Sequence, residues 1–254
     1  MKFSVLSSGS GGNATLVTSD STAILIDCGV SLKSLKQRAE SIGFDLTELA
    51  AVLVTHEHND HAGNVAALAR RYGIPVYLTH GTALATDMWD ERGVSVQEIS
   101  PHRDFSIGNL VIKPTPVPHD AREPCQFVIE DPEEKRLGIL TDIGSVTPHV
   151  EAHFQACHGL ILEFNHDIDM LANCDYPDSL KARVAGRYGH FSNEQAKALL
   201  EKIAHPELGL IVAAHLSENS NSPEYVRTIL QQAPVDARWE IAEQHRAMPL
   251  TSLV

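Results

Sequence analysis

The run Thr55-His56-Glu57-His58-Asn59-Asp60-His61 sets three imidazoles and the carboxylate of Asp60 into positions 56–61, directly after the apolar stretch Ala51-Val52-Leu53-Val54. Protein packing has no use for such a cluster. Imidazole nitrogen suits borderline ions such as zinc, and a neighbouring carboxylate extends the choice to harder ions such as manganese, so the run reads as part of a divalent-metal centre. If the chain stays extended through it, His56 and His58 point to one side at period two and share one ion. Behind it, Val65, Leu68, Ala69 and Tyr72 recur at helical spacing, with Gly73 and Pro75 as a stop. Asp60 and His61 then fall where loop turns into helix. The change of direction lets them face a second ion, which in paired sites lies about 3.5–4 Å from the first.

Two ions need more ligands than one stretch supplies, and the ends of other apolar segments offer them. His119 follows the strand at 110–112 after a proline-rich turn, Asp142 ends the strand at 137–140, and His215 ends the strand at 210–214. Open α/β sheets place their ligand sites at such carboxyl ends. Asp27 ends the strand at 23–26 before Cys28-Gly29; taken alone, it is equally a turn former or a carboxylate that orients a ligand histidine. His190 lies just before a helix with the capping-box spacing Ser192 to Gln195 and the apolar stripe Ala196, Leu199, Leu200 and Ile203. Free amides at that helix end favour a phosphate. His190 is therefore read as contacting a scissile phosphate or protonating a leaving oxygen, with a buried hydrogen-bonded histidine as the alternative.

Periodicity along the chain says α/β, and 254 residues fit one large domain over 1–254 whose core needs no disulfide. Cys28, Cys125, Cys157 and Cys174 form no Cys-x-x-Cys pair, and the start lacks a signal-peptide core, so a reduced cytoplasmic setting is expected. No apolar run reaches the roughly 20 residues of a membrane helix. The oligomeric state is left open. Residues 8–12 read as a hairpin turn between strands at 3–6 and 14–17, with Asn13 a candidate to approach substrate. His166, after Glu163 at the end of the strand at 160–162, reads as a rim residue. The net charge of −13 opposes a polyanionic partner. Two divalent ions would return four charges where a backbone docks, and Lys181, Arg183 and Arg187 lie just before His190, close enough in sequence to flank a phosphate track.

The whole pattern resembles the metallo-β-lactamase superfamily, whose hallmarks are His-x-His-x-Asp-His followed by single ligands in the order His, Asp, His. The resemblance implies a four-layer αβ/βα sandwich with the metals at one edge, between two sheets. It implies that His56, His58 and His119 hold one metal, that Asp60, His61 and His215 hold the other, and that Asp142 bridges them with a hydroxide. Asp27 fits the family's first motif. Lactam-cleaving members commonly have cysteine where this chain has Asp142, and diiron oxidoreductases have glutamate where it has His58. The segment Gly189-His190-Phe191-Ser192-Asn193-Glu194-Gln195-Ala196 and the later Ala214-His215-Leu216-Ser217 resemble the phosphodiesterase branch that includes ribonuclease Z. Neither the tRNA-binding arm of that enzyme nor a β-CASP insert has room here.

Narrower still is the resemblance to the YycJ/WalJ-type members, regarded as 5′-to-3′ exonucleases. It rests on Ser7-Ser8-Gly9-Ser10-Gly11-Gly12-Asn13, Leu25-Ile26-Asp27-Cys28-Gly29, Glu163-Phe164-Asn165-His166-Asp167 and His215-Leu216-Ser217-Glu218-Asn219-Ser220. The implied activity is hydrolysis of DNA or RNA phosphodiesters with two zinc or manganese ions. Asp60 and His190 are the catalytic candidates, and Asn13, Glu163, His166, Arg187 and Asn219 are candidate substrate contacts. A hydrolase of small cyclic or linear phosphodiesters is the nearest alternative, favoured by the acidic charge. A glyoxalase II-like thioester hydrolase is weaker, because it leaves the His190 segment without a purpose.

Overall fold

Runs of aliphatic and β-branched residues set the strands, and the computed structural model, which describes residues 1–88 and 92–253, arranges them in two seven-stranded sheets. The first sheet holds β1 (Lys2–Ser7), β2 (Ala14–Ser19), β3 (Thr22–Ile26), β4 (Leu49–Leu53), β5 (Pro75–Thr79) and β6 (Ser95–Ile99), with β14 (Thr251–Ser252) beside β1. The second holds β7 (Phe105–Ile107), β8 (Leu110–Pro116), β9 (Cys125–Glu130), β10 (Arg136–Leu140), β11 (Gly159–Glu163), β12 (Leu210–Ala214) and β13 (Arg238–Ile241). Each sheet repeats one order of pairing. Antiparallel pairs from β14 to β3 give way to parallel pairs from β3 to β6, and antiparallel pairs from β7 to β10 give way to parallel pairs from β10 to β13.

Side chains alternate across β3: Ile24 and Ile26 enter the layer between the sheets, where they join Phe3, Leu53, Phe127, Ile139 and Val212, while Leu25 points to the outer face. Burying a side chain such as Phe127 contributes about 1.5–3 kcal/mol. The outer face of the first sheet is covered by α1 (Leu32–Ser41), α3 (Val65–Tyr72) and α4 (His80–Ala85) through Leu35, Leu68 and Ala83. The second is covered by α5 (Pro148–Phe154), α8 (Asn193–Ile203) and α9 (Pro223–Gln232) through Phe154, Leu199 and Val226. The result is the expected layering of helix, sheet, sheet and helix. Ser192 and Gln195 make the capping box at the start of α8, and Gly73 ends α3 in the left-handed region at φ 68°.

Three local readings are corrected. The chain does not stay extended through His58: β4 ends at Leu53, because the Thr55 amide turns to donate to Asp27 Oδ1 at 2.9 Å. The segment after Ile112 is not a turn, since β8 continues through Pro114 and Pro116. Strand β7 pairs only with residues 110–112, so both prolines sit on an open edge where their missing N–H costs no ladder bond. Two short helices, α6 (Ile168–Asn173) and α7 (Asp178–Val184), were not anticipated; α7 buries none of its side chains. Among the described residues no helix is long and apolar enough to cross a membrane.

Candidate metal centre

The site forms where strand ends of both sheets meet. Asp27, Asp142 and His215, at or just past the ends of β3, β10 and β12, all have left-handed backbones, with φ of 61°, 54° and 57°. Side chains pay for that region with strain, which tends to collect at functional sites. The turns close tightly. A Cβ on Gly29 would lie 1.8 Å from the Asp60 carbonyl oxygen, and one on Gly144 would lie 2.6 Å from the Arg187 backbone. Only glycine permits those approaches.

Asp27 organises the first loop. Its carboxylate accepts from the Thr55 amide, the Thr55 hydroxyl at 2.8 Å and His61 Nδ1 at 2.8 Å. With its proton given to Asp27, Thr55 Oγ1 accepts from His56 Nδ1 at 3.0 Å. His56 thus turns a bare Nε2 inward, and that atom is buried without a hydrogen-bond partner. An orphaned acceptor of this kind is costly unless a cation meets it. His119 is set in the same way, its Nδ1 donating to the Gly189 carbonyl at 3.0 Å and its Nε2 lying 3.3 Å from His58 Nδ1. Burial holds His56 and His119 below the usual imidazole range, as a metal ligand requires.

The donor atoms of His56, His58 and His119 lie within 4.8 Å of one another, and so do those of Asp60, His61 and His215. A third group, His56, His61 and Asp142, puts Asp142 between them. Opposite His61 Nε2 stand Asp142 Oδ2 at 3.0 Å and Asp60 Oδ2 at 3.4 Å. With Nδ1–H given to Asp27, the Nε2 lone pair would oppose carboxylate oxygens, so a proton or a cation must lie between. The donor set therefore fits divalent ions. Without them, protons fill the gap: burial opposes charging His61 and His215, but Asp142 drives His61 well above the imidazole range and, with Asp60 and Glu163, His215 up to about 10. Burial likewise opposes ionising Asp142 and Asp60, yet the facing histidines hold both carboxyls far below the usual range.

On the other side of the site, Glu163 is fully buried at the end of β11. One oxygen, Oε1, accepts from His190 Nδ1 and from His215 Nδ1, each at 2.9 Å, while Oε2 accepts from the Ile143 and Phe191 amides. Burial opposes its charge, but His190 and His215 bring the carboxyl down to about 2. Glu163 therefore raises the His190 imidazole above its ordinary range against the effect of burial. His190 Nδ1 is engaged, and its ring lines the same cavity as His58, Asp60, Asp142 and His215.

That cavity holds about 360 Å³ and is also lined by Ser10, Asn165, Tyr176 and Arg183. The candidate substrate contacts distribute unevenly around it. Asn13 Nδ2 reaches His61 Nε2 at 2.9 Å and Asp60 Oδ2 at 3.3 Å, behind the donor set. Glu163 sits beneath the imidazoles rather than facing the cavity. Arg187 does not line it and instead lies over the Tyr188 ring, whereas Arg183 does. Asn219 is exposed and donates to the Tyr176 hydroxyl at 2.9 Å. His166 is buried and lines a separate, larger cavity beside α6, α7 and α8. Thr55, Gln126, Asn165 and Tyr176 escaped sequence reasoning. Gln126 pairs with both backbone groups of Thr141, and Asn165 donates to the His215 carbonyl at 3.1 Å. Thr55 adjoins His56 and could have been noticed; the others carry no local signal.

Comparison with known proteins agrees with this geometry. The family described as Beta-lactamase superfamily domain matches residues 22–212. The exodeoxyribonuclease YycJ of Bacillus anthracis is 30% identical over 251 residues, covering 96% of this chain and 92% of that protein. The exodeoxyribonuclease WalJ of Streptococcus pneumoniae serotype 2 is 31% identical over 229 residues, covering 88% and 84%. In fold, the chain is similar to the metallo-β-lactamase fold protein YhfI of Bacillus subtilis, with a TM-score of 0.76, 17% identity and coverage of 97% and 98%. The chain belongs to the metallo-β-lactamase superfamily, in its YycJ/WalJ-type branch, and is a metal-dependent hydrolase.

Proposed function

We propose that this protein is a dinuclear phosphodiester hydrolase that degrades DNA from a 5′ end, with RNA as a further substrate. The observation that carries the reading is His190: a buried carboxylate holds its Nδ1, and the ring faces the cavity shared by both donor groups. In this reading His56, His58 and His119 hold one ion, Asp60, His61 and His215 hold the other, and Asp142 is common to both. Zinc or manganese ions there would supply Lewis acidity at phosphorus and an activated water at neutral pH.

The chain's own groups do the rest. Asp27 and Glu163 orient the imidazoles that meet the ions, and such partners are worth about 10–100-fold in affinity or activity. His190, kept protonated by Glu163, donates from its free Nε2 to a phosphoryl oxygen or to the leaving oxygen. A cavity of about 360 Å³ suits one nucleotide at a chain end better than a duplex lying across the surface. The relatives named exodeoxyribonucleases support the same substrate class.

The acidic net charge of −13 favours a second reading, hydrolysis of small cyclic or linear phosphodiesters. One panel separates them: 5′-phosphorylated duplex DNA, single-stranded DNA, RNA, a cyclic phosphodiester and a glutathione thioester, each with manganese or zinc. Release of mononucleotides from 5′-phosphorylated DNA is expected. Turnover of the cyclic diester without any of the polymers would move the assignment to small substrates, and cleavage of the thioester alone would overturn phosphodiester chemistry.

A further inference from the structure

We propose that Arg183 is the phosphate anchor of the cavity, held in readiness by Asp120, and that it grips a phosphate of the nucleic-acid chain adjacent to the one being cleaved; this rests on the phosphodiesterase reading. Arg183 is the one arginine or lysine among the described residues that line the cavity. It sits on α7, which reaches over the site with Leu180, Arg183 and Val184 on the cavity side and no side chain in the core. The guanidinium Nε donates to Asp120 Oδ2. The other Asp120 oxygen lies 3.4 Å from His119 Nε2 and 3.9 Å from His58 Nε2, so the pair runs from α7 to the edge of the first donor group.

Only one of the five N–H donors of Arg183 is used by Asp120, leaving the fork of its two terminal nitrogens for an oxyanion. The Arg183 side chain is 55% exposed. An ion pair that open to water contributes about 0–1 kcal/mol, whereas a bidentate arginine–phosphate contact is charge-assisted at both oxygens. A phosphate can therefore displace the carboxylate. On a chain with a net charge of −13, a single cation beside the ions has a large share in docking a polyanion.

The test is equilibrium binding of a labelled, 5′-phosphorylated single-stranded DNA oligonucleotide with phosphorothioate linkages, followed by fluorescence anisotropy across a salt series. Arg183→Gln is expected to weaken binding about tenfold and to reduce the slope of log affinity against log salt by about 0.7, the value for one phosphate contact on a single strand. Arg183→Lys should restore the slope but only part of the affinity, because the fork is lost. Asp120→Asn should tighten binding about threefold by freeing the guanidinium, and Arg227→Gln, an exposed charge removal on α9, serves as the control. If the wild-type protein binds the oligonucleotide and Arg183→Gln matches it in affinity and slope, the anchor is refuted while the phosphodiesterase reading stands. Weaker binding in Asp120→Asn would overturn the standby role of that carboxylate. If the wild type neither binds nor cleaves any nucleic acid, the underlying reading falls first.

Discussion

The two halves of the molecule repeat one scaffold and use it differently. In each, a central strand ends in an aspartate with left-handed backbone, followed two residues later by a glycine with no space for a Cβ: Asp27 and Gly29 after β3, Asp142 and Gly144 after β10. Beyond that point the halves diverge. The loop after β4 delivers His56, His58, Asp60 and His61, whereas the corresponding loop after β11 delivers Glu163, which holds two imidazoles and faces no solvent. The next strand of the first sheet, β5, leads to His80, exposed and 3.0 Å from Glu98; its counterpart β12 leads to His215, buried in the site. The comparison teaches that the turn geometry is common property of the fold. Chemistry is set by the loop that follows each turn, with the first half specialised for holding cations and the second for orienting and covering them.

The sharpest way to break that division is to remove donors. Asp142→Ala and His58→Ala are expected to abolish diester hydrolysis and to lower the metal content measured by elemental analysis. Full metal content in either variant would mean that the donor groups are misassigned. Next in size, His190→Ala should lower kcat about 10²-fold, the usual scale for a positioned acid or base, with both ions retained. Loss of one metal equivalent would transfer His190 to the ligand set.

Positioning residues probe the contrast between the halves directly. Asp27→Asn should weaken metal affinity about 10–100-fold, read by competition with a chelator, while kcat at saturating metal changes little. Glu163→Gln should reduce both, because the same carboxylate holds His215 and His190. Equal profiles for the two variants would erase the distinction. The smallest effects are on stability. Gly29→Ala forces a Cβ to 1.8 Å from a backbone oxygen and Gly144→Ala forces one to 2.6 Å, so both should unfold at lower urea. Overpacking of this kind costs about 1–3 kcal/mol, with Gly29 the worse of the two.

Much of this was legible along the chain. The cluster at 56–61 is local, so its ligand character needs no fold to be seen, and strands such as β10 and β12 are apolar enough to mark Asp142 and His215 as end residues. The capping box of α8 is a four-residue pattern and was read correctly. What escaped depends on contacts distant in sequence. Glu163 looked like a substrate contact because its two imidazole partners are 27 and 52 positions away. The extended reading of His56 and His58 failed because the turn is pulled by Asp27, 28 residues before Thr55. Helix α7 left no signal, since a helix with every side chain outside the core has no apolar period to detect. Pro114 and Pro116 disguised the end of β8, and only the short reach of β7 explains why they are tolerated.

A single oxygen, Glu163 Oε1, receives both His190 and His215. The imidazole read as gripping a cation and the one read as handling the scissile bond are therefore two arms of the same lever, pivoted on an atom that water does not reach. Mutations on the two arms should not add: the penalty of the double replacement should fall short of the summed single penalties. Any drift in how the cation is held is delivered at once to the proton donor, so fidelity of metal loading and speed of cleavage cannot be tuned apart in this half of the protein.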